Sequence, residues 1–259
     1  MNIAFFGDSP SAPDRSRIEA RVTDRRRIGD RPTLSSAAAT VIRGDGDRWR
    51  HIYVRSTVRT DMDATDVTDL YQEFGDERLP PGQRETTAFP VLSKSGTPDW
   101  DPETWEFTVT GAVEEELTFS WEEFRELPSV TQRQDFHCVT GWSKFDCSFT
   151  GVSFPELAER AGVDPEAVHA MFSGLDGYTT DLPLEDCLRE EVLFAWAFDG
   201  EALPEDHGGP LRVVTPHKYA YKGAKWVDGI EFLTEPQRGY WERRGYSQTA
   251  NPWEEQRYS

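Results

Sequence analysis

From about residue 105 onward the chain consists of short strand-like runs, and this pattern constrains its fold more than any other feature. Apolar residues alternate with polar ones or form brief apolar runs, and both patterns are typical of strands. The predicted strands cover residues 105–113, 131–139, 168–172, 192–198, 211–214 and 225–233. Because strands and helices do not alternate regularly, the pattern predicts an α+β fold with mixed sheets and a few short helices.

Capping sequences mark the two helices that the sequence predicts. Residues 120–123 (Ser-Trp-Glu-Glu) have the Ser-x-x-Glu spacing of a capping box. Residues 153–156 (Ser-Phe-Pro-Glu) repeat that spacing with a proline in the first turn, and Gly162 is expected to close this second helix. A turn is expected at Gly141, and residues 199–200 (Asp-Gly) predict a hairpin turn.

Charge divides the chain into two parts. Residues 1–61 contain 12 arginines against 8 acidic residues, whereas residues 62–259 contain 16 basic against 39 acidic residues. We therefore expect residues 1–61 to be an N-terminal extension that is disordered or lies before the true start, with a nucleic-acid-binding arm as the alternative. Residues 62–259 are expected to form one domain, with its core at about 85–235 and a C-terminal tail at 236–259.

The formal net charge of −19 narrows the possible partners. An acidic body with five lysines does not favour nucleic acid or an anionic membrane. It is typical of proteins that work in high salt. No apolar run approaches the roughly 20 residues of a membrane-spanning helix. The three cysteines fit neither a disulfide framework nor a paired-thiolate zinc site. Without a recognisable export signal, we expect a cytoplasmic protein.

One segment departs from this acidic composition. The twenty-one residues 207–227 contain no Asp or Glu, and they include three of the five lysines. The basic residues of this segment are His207, Arg212, His217, Lys218, Lys222 and Lys225. Such a segment is suited to hold an anion, most often a phosphate. The alternative is a basic surface strip that relieves the repulsion among the acidic residues.

A second segment suggests chemistry at a thiol. Cys138 is expected at the end of a strand, before the turn at Gly141, where backbone groups are available to a ligand. His137 and Lys144 lie nearby in sequence, and a nearby cation favours the thiolate, which is the form that binds metals or acts as a nucleophile. The other two cysteines, Cys147 and Cys187, are read as small buried residues.

Together the two segments resemble a known family. The motifs are His-Cys-Val-Thr-Gly-Trp-Ser (137–143), Phe-Thr-Gly-Val (149–152), His-Gly-Gly-Pro-Leu-Arg (207–212) and Lys-Tyr-Ala-Tyr-Lys-Gly-Ala-Lys-Trp (218–226). In this order they resemble the sulfite oxidase-type molybdopterin-binding family. The match is nearest to its stand-alone sulfite oxidase-like oxidoreductases, and the methionine sulfoxide reductase catalytic subunits are more distant. The resemblance covers roughly residues 79–259.

The resemblance implies a molybdenum-molybdopterin cofactor and assigns residues to it. Cys138 would be the protein ligand of the metal, and His207 and Arg212 would hold the pterin and its phosphate. The residues assigned to the phosphate-binding turn are Lys222, Gly223, Ala224 and Lys225. Ser173 would contact the pterin, and Tyr178 would face the metal, although Tyr178 can also be read as a turn aromatic that packs on the sheet.

The resemblance further implies two-electron oxygen-atom transfer on a small-molecule substrate, such as a sulfoxide, an N-oxide or a sulfite-like compound. The arginine that sulfite oxidases carry near the position of residues 89–92 is missing, which argues against sulfite itself. No haem motif is present, so electrons would pass through a separate partner protein. Two other interpretations stay open: a metal-free cysteine enzyme for redox or acyl transfer, and a non-catalytic phosphate-binding module.

Overall fold

A computed structural model describes residues 78–259. The predicted extension at residues 1–61 and the following residues 62–77 lie outside the described residues. The elements, in chain order, are β1 (Arg84–Glu85), β2 (Glu106–Gly111), β3 (Leu117–Ser120), α1 (Trp121–Glu126), β4 (Val130–Cys138), β5 (Trp142–Ser153), α2 (Phe154–Ala161), β6 (His169–Gly174), β7 (Thr179–Pro183), α3 (Leu184–Cys187), β8 (Leu193–Phe198), β9 (Glu201–Ala202), β10 (Arg212–Val214) and β11 (Val227–Leu233).

These strands form two sheets. The first has six strands and contains the path β1-β5-β8-β10, with β4 paired to β5 and β9 paired to β8. The second has five strands in the order β3-β2-β11-β6-β7. Two pairs, β1–β5 and β2–β11, are parallel, and the other pairs are antiparallel. The predicted α+β fold with mixed sheets is therefore confirmed.

Strand β8 of the first sheet is buried on both faces. On β8, Phe194 and Trp196 belong to the larger apolar cluster, which also contains side chains from the second sheet and both longer helices. Leu193 and Ala195 point to the opposite face and join a smaller cluster. That smaller cluster includes Cys138, so the cysteine lies at the edge of a packed apolar layer.

The predicted helices are present, but only one has the predicted cap. Ser120 accepts a hydrogen bond from the Glu123 amide at 3.3 Å, and Glu123 Oε2 accepts one from the Ser120 amide at 2.8 Å. The side chain of Ser153 makes no capping hydrogen bond at the start of α2, so the predicted second capping box is wrong. Helix α2 ends at Gly162, as expected, in the left-handed conformation.

The main element that the sequence did not predict is β5. Its twelve residues are rich in polar and small side chains and lack clear alternation. Backbone hydrogen bonding stabilises β5 instead, because β5 pairs with three other strands. The turns were predicted correctly: Gly141 has φ 91° between β4 and β5, and Asp199 and Gly200, with φ 50° and 83°, connect β8 to β9. The last strand begins at Val227 rather than Lys225, because Trp226 has φ 52°.

Candidate functional site

A cleft of ≈ 300 Å³ opens above the smaller apolar cluster. This size lies at the lower end of the range for small-molecule sites, about 300–1,000 Å³. The predicted site residues in its lining are Cys138, Tyr178, His207, Arg212, Gly223 and Lys225. Further lining residues are Phe89, Pro90, Leu92, Ser93, Lys94, Phe136, Val139, Thr140, Trp142, Asp176, Ala220, Tyr221, Trp226, Trp241 and Tyr246.

Cys138 lies where β4 ends and the hairpin turn begins, opposite Trp142 on β5. Its side chain is 7% exposed and faces the cleft. The Cys138 Sγ lies 3.1 Å from the hydroxyl of Thr140. Burial raises the pKa of the Cys138 thiol, and the hydroxyl of Thr140 partly opposes that rise. The thiol is thus accessible from the cleft, in apolar surroundings that suit a soft metal ligand.

Arg212 is a buried cation that has no acidic partner among residues 78–259. It lies on β10, is 3% exposed, and its Nη1 donates to the backbone oxygen of His207 at 2.8 Å. Its buried Nε has no hydrogen-bond partner in the described part of the chain. Burial lowers the pKa of Arg212 to about 10. A buried charge without a partner is costly, so this geometry fits an anionic ligand such as a phosphate group.

Lys225 and His207 extend this positive wall of the cleft. Lys225 pairs with Arg212 through an isolated β-bridge, and its Nζ donates to the backbone oxygen of Asp206 at 2.8 Å. Burial and the nearby charge of Arg212 lower the pKa of Lys225 to about 8. The His207 ring stacks on Phe89, with the ring centroids 4.0 Å apart. Burial lowers the pKa of His207 as well. The wall therefore presents one arginine and one lysine beside the imidazole of His207.

Other basic residues of the acid-free segment do not face the cleft. Lys222 is fully buried, and its Nζ lies 2.6 Å from Glu242 Oε1 and 3.6 Å from Asp181 Oδ1. Lys218 Nζ lies 2.7 Å from Asp186 Oδ2. The expectation that Lys222 contacts the cofactor phosphate therefore differs from the structure. Acidic residues from distant parts of the chain neutralise these lysines, and a local charge count could not show this.

Two further predicted contacts lie outside the lining of the cleft. Ser173 Oγ donates to Asp228 Oδ1 at 3.0 Å, within the second sheet. Ala224 has no exposed surface and packs in the larger apolar cluster. The turn that contains Ala224 still reaches the cleft, because its neighbours Gly223 and Lys225 line it. The structure thus brings together six of the nine predicted site residues.

Tyr178 lines the cleft, but its hydroxyl is already engaged. It donates a hydrogen bond to the backbone oxygen of Tyr221. Burial, followed by the charge of Glu242, raises the pKa of Tyr178 well above the ordinary tyrosine value. Tyr178 precedes β7 directly, so the turn itself lies before it at Gly177, which has φ 72°.

The tail contributes residues to which the sequence analysis assigned no role in the site. Trp241 and Tyr246 line the cleft, with their ring centroids 5.1 Å apart. Burial is the main reason that the pKa of Tyr246 is raised, and Cys138 is among the other groups that raise it. Tyr221 donates from its hydroxyl to the backbone oxygen of Ser247 and so ties the tail to the cleft wall. The high proportion of aromatic residues in the tail could have indicated that the tail lines the cleft.

The segment after β1 is held against the turn between β6 and β7. Lys94 Nζ donates to the backbone oxygen of Asp176 and lies 3.4 Å from its carboxylate. Ser95 Oγ donates to Asp176 Oδ2 at 3.0 Å. Asp176 is the one acidic residue in the lining, and this pairing neutralises it.

No helix of residues 78–259 is both long enough and apolar enough to span a bilayer.

Comparison with known proteins gives a consistent family. Residues 94–241 match the family model "Oxidoreductase molybdopterin binding domain". The chain is 43% identical over 183 residues to the "Uncharacterized oxidoreductase YuiH" of Bacillus subtilis (strain 168), covering 70% of this chain and 92% of that protein. It is 27% identical over 213 residues to the "Protein-methionine-sulfoxide reductase catalytic subunit MsrP" of Gluconobacter oxydans (strain 621H), covering 73% of this chain and 64% of that one.

More distant similarities agree with this family. Mitochondrial sulfite oxidase of Mus musculus is 28% identical over 179 residues, which are 58% of this chain and 33% of that protein. The fold resembles the sulfane dehydrogenase SoxCD from Paracoccus pantotrophus with a TM-score of 0.51 at 22% identity, covering 58% of this chain and 43% of that one. The chain belongs to the oxidoreductase molybdopterin-binding domain family and is a molybdopterin-dependent oxidoreductase whose cofactor is molybdenum-molybdopterin.

Proposed function

We propose that the cleft binds the molybdenum-molybdopterin cofactor between Cys138 and the positive wall of Arg212, Lys225 and His207. One observation carries this proposal: an accessible thiol and a buried arginine without an acidic partner among the described residues line the same cleft. Cys138 would be the protein ligand of molybdenum. Arg212 and Lys225 would hold the phosphate of the pterin, because a guanidinium can bind phosphate through two hydrogen bonds.

When bound, the cofactor supplies two-electron redox chemistry with oxygen-atom transfer. The protein orients the reactants and excludes water. Phe89, Trp142, Trp241 and Tyr246 give the cleft an aromatic lining. Tyr246 lines the cleft, and its phenol can donate a hydrogen bond to an oxygen atom of a bound substrate.

The substrate would be a small molecule that carries a transferable oxygen, such as a sulfoxide or an N-oxide. Lys94 also lines the cleft, but its Nζ is already paired with the carboxylate of Asp176. Lys144, which lies near Cys138 in sequence, donates to the backbone oxygen of Thr87 and is not in the lining. The lining near the thiol therefore offers little positive charge to a free sulfite anion, which favours a neutral substrate.

Electrons would pass to or from a separate protein. The chain spans 64% of the Gluconobacter relative, whose name describes a catalytic subunit, and 33% of the mouse sulfite oxidase. Both relatives are longer than the part that matches this chain. A separate electron-transfer partner is therefore part of the proposal. A substrate screen would establish the direction of oxygen transfer.

Elemental analysis of the purified full chain, expressed with ample molybdate, tests this proposal. We expect about one molybdenum per chain, the stoichiometry of a single protein-ligated site. Arg212→Ala should deplete the cofactor, because the buried phosphate partner is lost. Cys138→Ser should retain part of the pterin while turnover is abolished. Arg133→Ala, at a site 61% exposed on β4, is the matched control. Absence of molybdenum, or full activity of Cys138→Ser, would contradict the proposal.

The metal-free cysteine enzyme has less support from the geometry. His137 Nδ1 lies 2.8 Å from Ser143 Oγ, and burial lowers the pKa of His137 to about 4. Cys138 Sγ is hydrogen-bonded by Thr140, a hydroxyl that cannot serve as a general base at neutral pH. Turnover by protein freed of molybdenum would favour this alternative over the metal site.

A further inference from the structure

The turn that carries Cys138, residues 138–141, is held from outside its own hairpin. Within the turn, the Gly141 amide donates to the Cys138 oxygen at 3.0 Å. Three of the four backbone oxygens of the turn also accept hydrogen bonds from distant residues. The donors are Gln83 Nε2 to Cys138 at 3.1 Å, Arg84 N to Gly141 at 3.1 Å, and Arg257 Nη1 to Val139.

Arg257 connects the turn to two other segments. Its Nη2 donates to the backbone oxygen of Gly82 at 3.4 Å, next to Gln83 and Arg84. Its guanidinium carbon lies 4.9 Å from the centre of the Tyr219 ring. The backbone oxygen of Arg257 accepts a hydrogen bond from the Ser247 amide at 3.1 Å, so the tail itself is fixed at this point.

The ion pair of Arg257 with Glu255 is weak. Glu255 Oε1 lies 4.0 Å from its Nη2, and the Glu255 side chain is 54% exposed. The side chain of Arg257 is only 20% exposed. Arg257 is largely buried, and its hydrogen bonds go to backbone oxygens. Such an arginine is suited to fix a backbone position rather than to form a surface ion pair.

We propose that Arg257 is a positioning residue for Cys138: its guanidinium fixes the Val139 carbonyl and thereby the direction in which the Cys138 thiol enters the cleft. The inference rests on the proposed function, because it concerns the ligand assigned to the metal. Arg257 is absent from the lining of the cleft, so it acts through the turn and not on the substrate. Residues that orient a metal ligand typically change affinity or activity about 10–100-fold when they are replaced.

Amide hydrogen exchange of the cofactor-free full chain tests the structural step. In Arg257→Ala, the amides of residues 139–141 should exchange about tenfold faster, because a local opening loses one of its hydrogen bonds. Exchange in β6 should stay unchanged. Arg257→Lys retains a donor and should restore much of the protection. The matched control is Arg238→Ala, an exposed arginine of the same tail. Unchanged exchange in Arg257→Ala would overturn the proposal.

Kinetics of the molybdenum-loaded protein test the consequence. With the substrate found by the screen, Arg257→Ala should lower kcat about 10–100-fold with little change in KM and in molybdenum content. Gln83→Ala, which removes the donor to Cys138, should act in the same direction. Normal kcat, or a loss of kcat that only follows a loss of molybdenum, would overturn the inference. Failure of the proposed function would show differently, as absence of molybdenum from the unsubstituted protein.

Discussion

Arg212 and Lys222 have the same charge and lie ten positions apart, yet their surroundings give them different tasks. Arg212 is buried without an acidic partner among the described residues, which leaves its charge available to an anion. Lys222 is buried against Glu242 and near Asp181. Glu242 also accepts a hydrogen bond from Thr180 Oγ1 at 2.7 Å, so this group ties the tail to β7. A buried charge whose partner is missing is available to a ligand, whereas one whose partner is supplied stabilises the fold.

Lys222→Met is therefore expected to weaken the fold rather than the anion site. Removal of one member of a buried ion pair leaves an uncompensated charge and typically costs 3–5 kcal/mol, so we expect a loss of about that size. Urea unfolding of the cofactor-free protein measures this free energy. The double variant Lys222→Met/Glu242→Gln should be more stable than Lys222→Met alone. Unchanged stability together with lower molybdenum content would instead show that Lys222 contacts the cofactor.

At the scale of elements, the hairpin of β4 and β5 positions the thiol, and β5 is the strand that joins the first sheet together. Near its end β5 passes very close to β8. A Cβ atom added at Gly151 would lie 2.0 Å from the backbone oxygen of Phe194. The register between the two strands shifts between Thr150 and Gly151. The close approach requires glycine, because any larger side chain would push the strands apart.

Gly151→Ala should destabilise the protein by about 1–3 kcal/mol, the usual range for inserting a group into a well-packed region. Its free energy of unfolding in urea measures the effect. The same substitution at Gly96, where a new Cβ would meet nothing within 4 Å, is the matched control and should change stability little. Equal stability of the two variants would show that β5 and β8 can separate at no cost.

At the scale of the whole molecule, the acidic composition is the dominant feature. The net charge of −19 gives strong mutual repulsion, and two lysines of the acid-free segment, Lys218 and Lys222, are used in buried ion pairs. The cytoplasmic location and the adaptation to high salt stay predictions. The division of the sequence into residues 1–61 and 62–259 also stays a prediction, because the structure describes residues 78–259.

The melting temperature of the protein should rise with KCl concentration. Salt shortens the Debye length from about 10 Å at 0.1 M to about 3 Å at 1 M and so weakens repulsion among surface carboxylates. Calorimetry or circular dichroism across this range measures the shift. Sucrose is the control, because it stabilises folded proteins without screening charge. A melting temperature that is constant or falls in KCl would contradict adaptation to high salt.

The sequence alone determined the fold class, the positions of most strands, and the two turns that connect β4 to β5 and β8 to β9. These features depend on local pattern: alternation, glycine at left-handed positions and helix-start residues act over a few neighbouring residues. The sequence also predicted that Cys138 and Arg212 belong to one site, and both residues line the same cleft.

Only the tertiary structure decided which charges are free. Asp186 neutralises Lys218, and Glu242 neutralises Lys222, across separations that no local count can detect. It likewise brought Tyr246 and Arg257 of the tail to the turn of Cys138. Strand β5 was missed for the same reason, because its stability comes from backbone pairing with three strands rather than from its own side-chain pattern. Long-range partners are set by packing, and packing is a property of the folded chain.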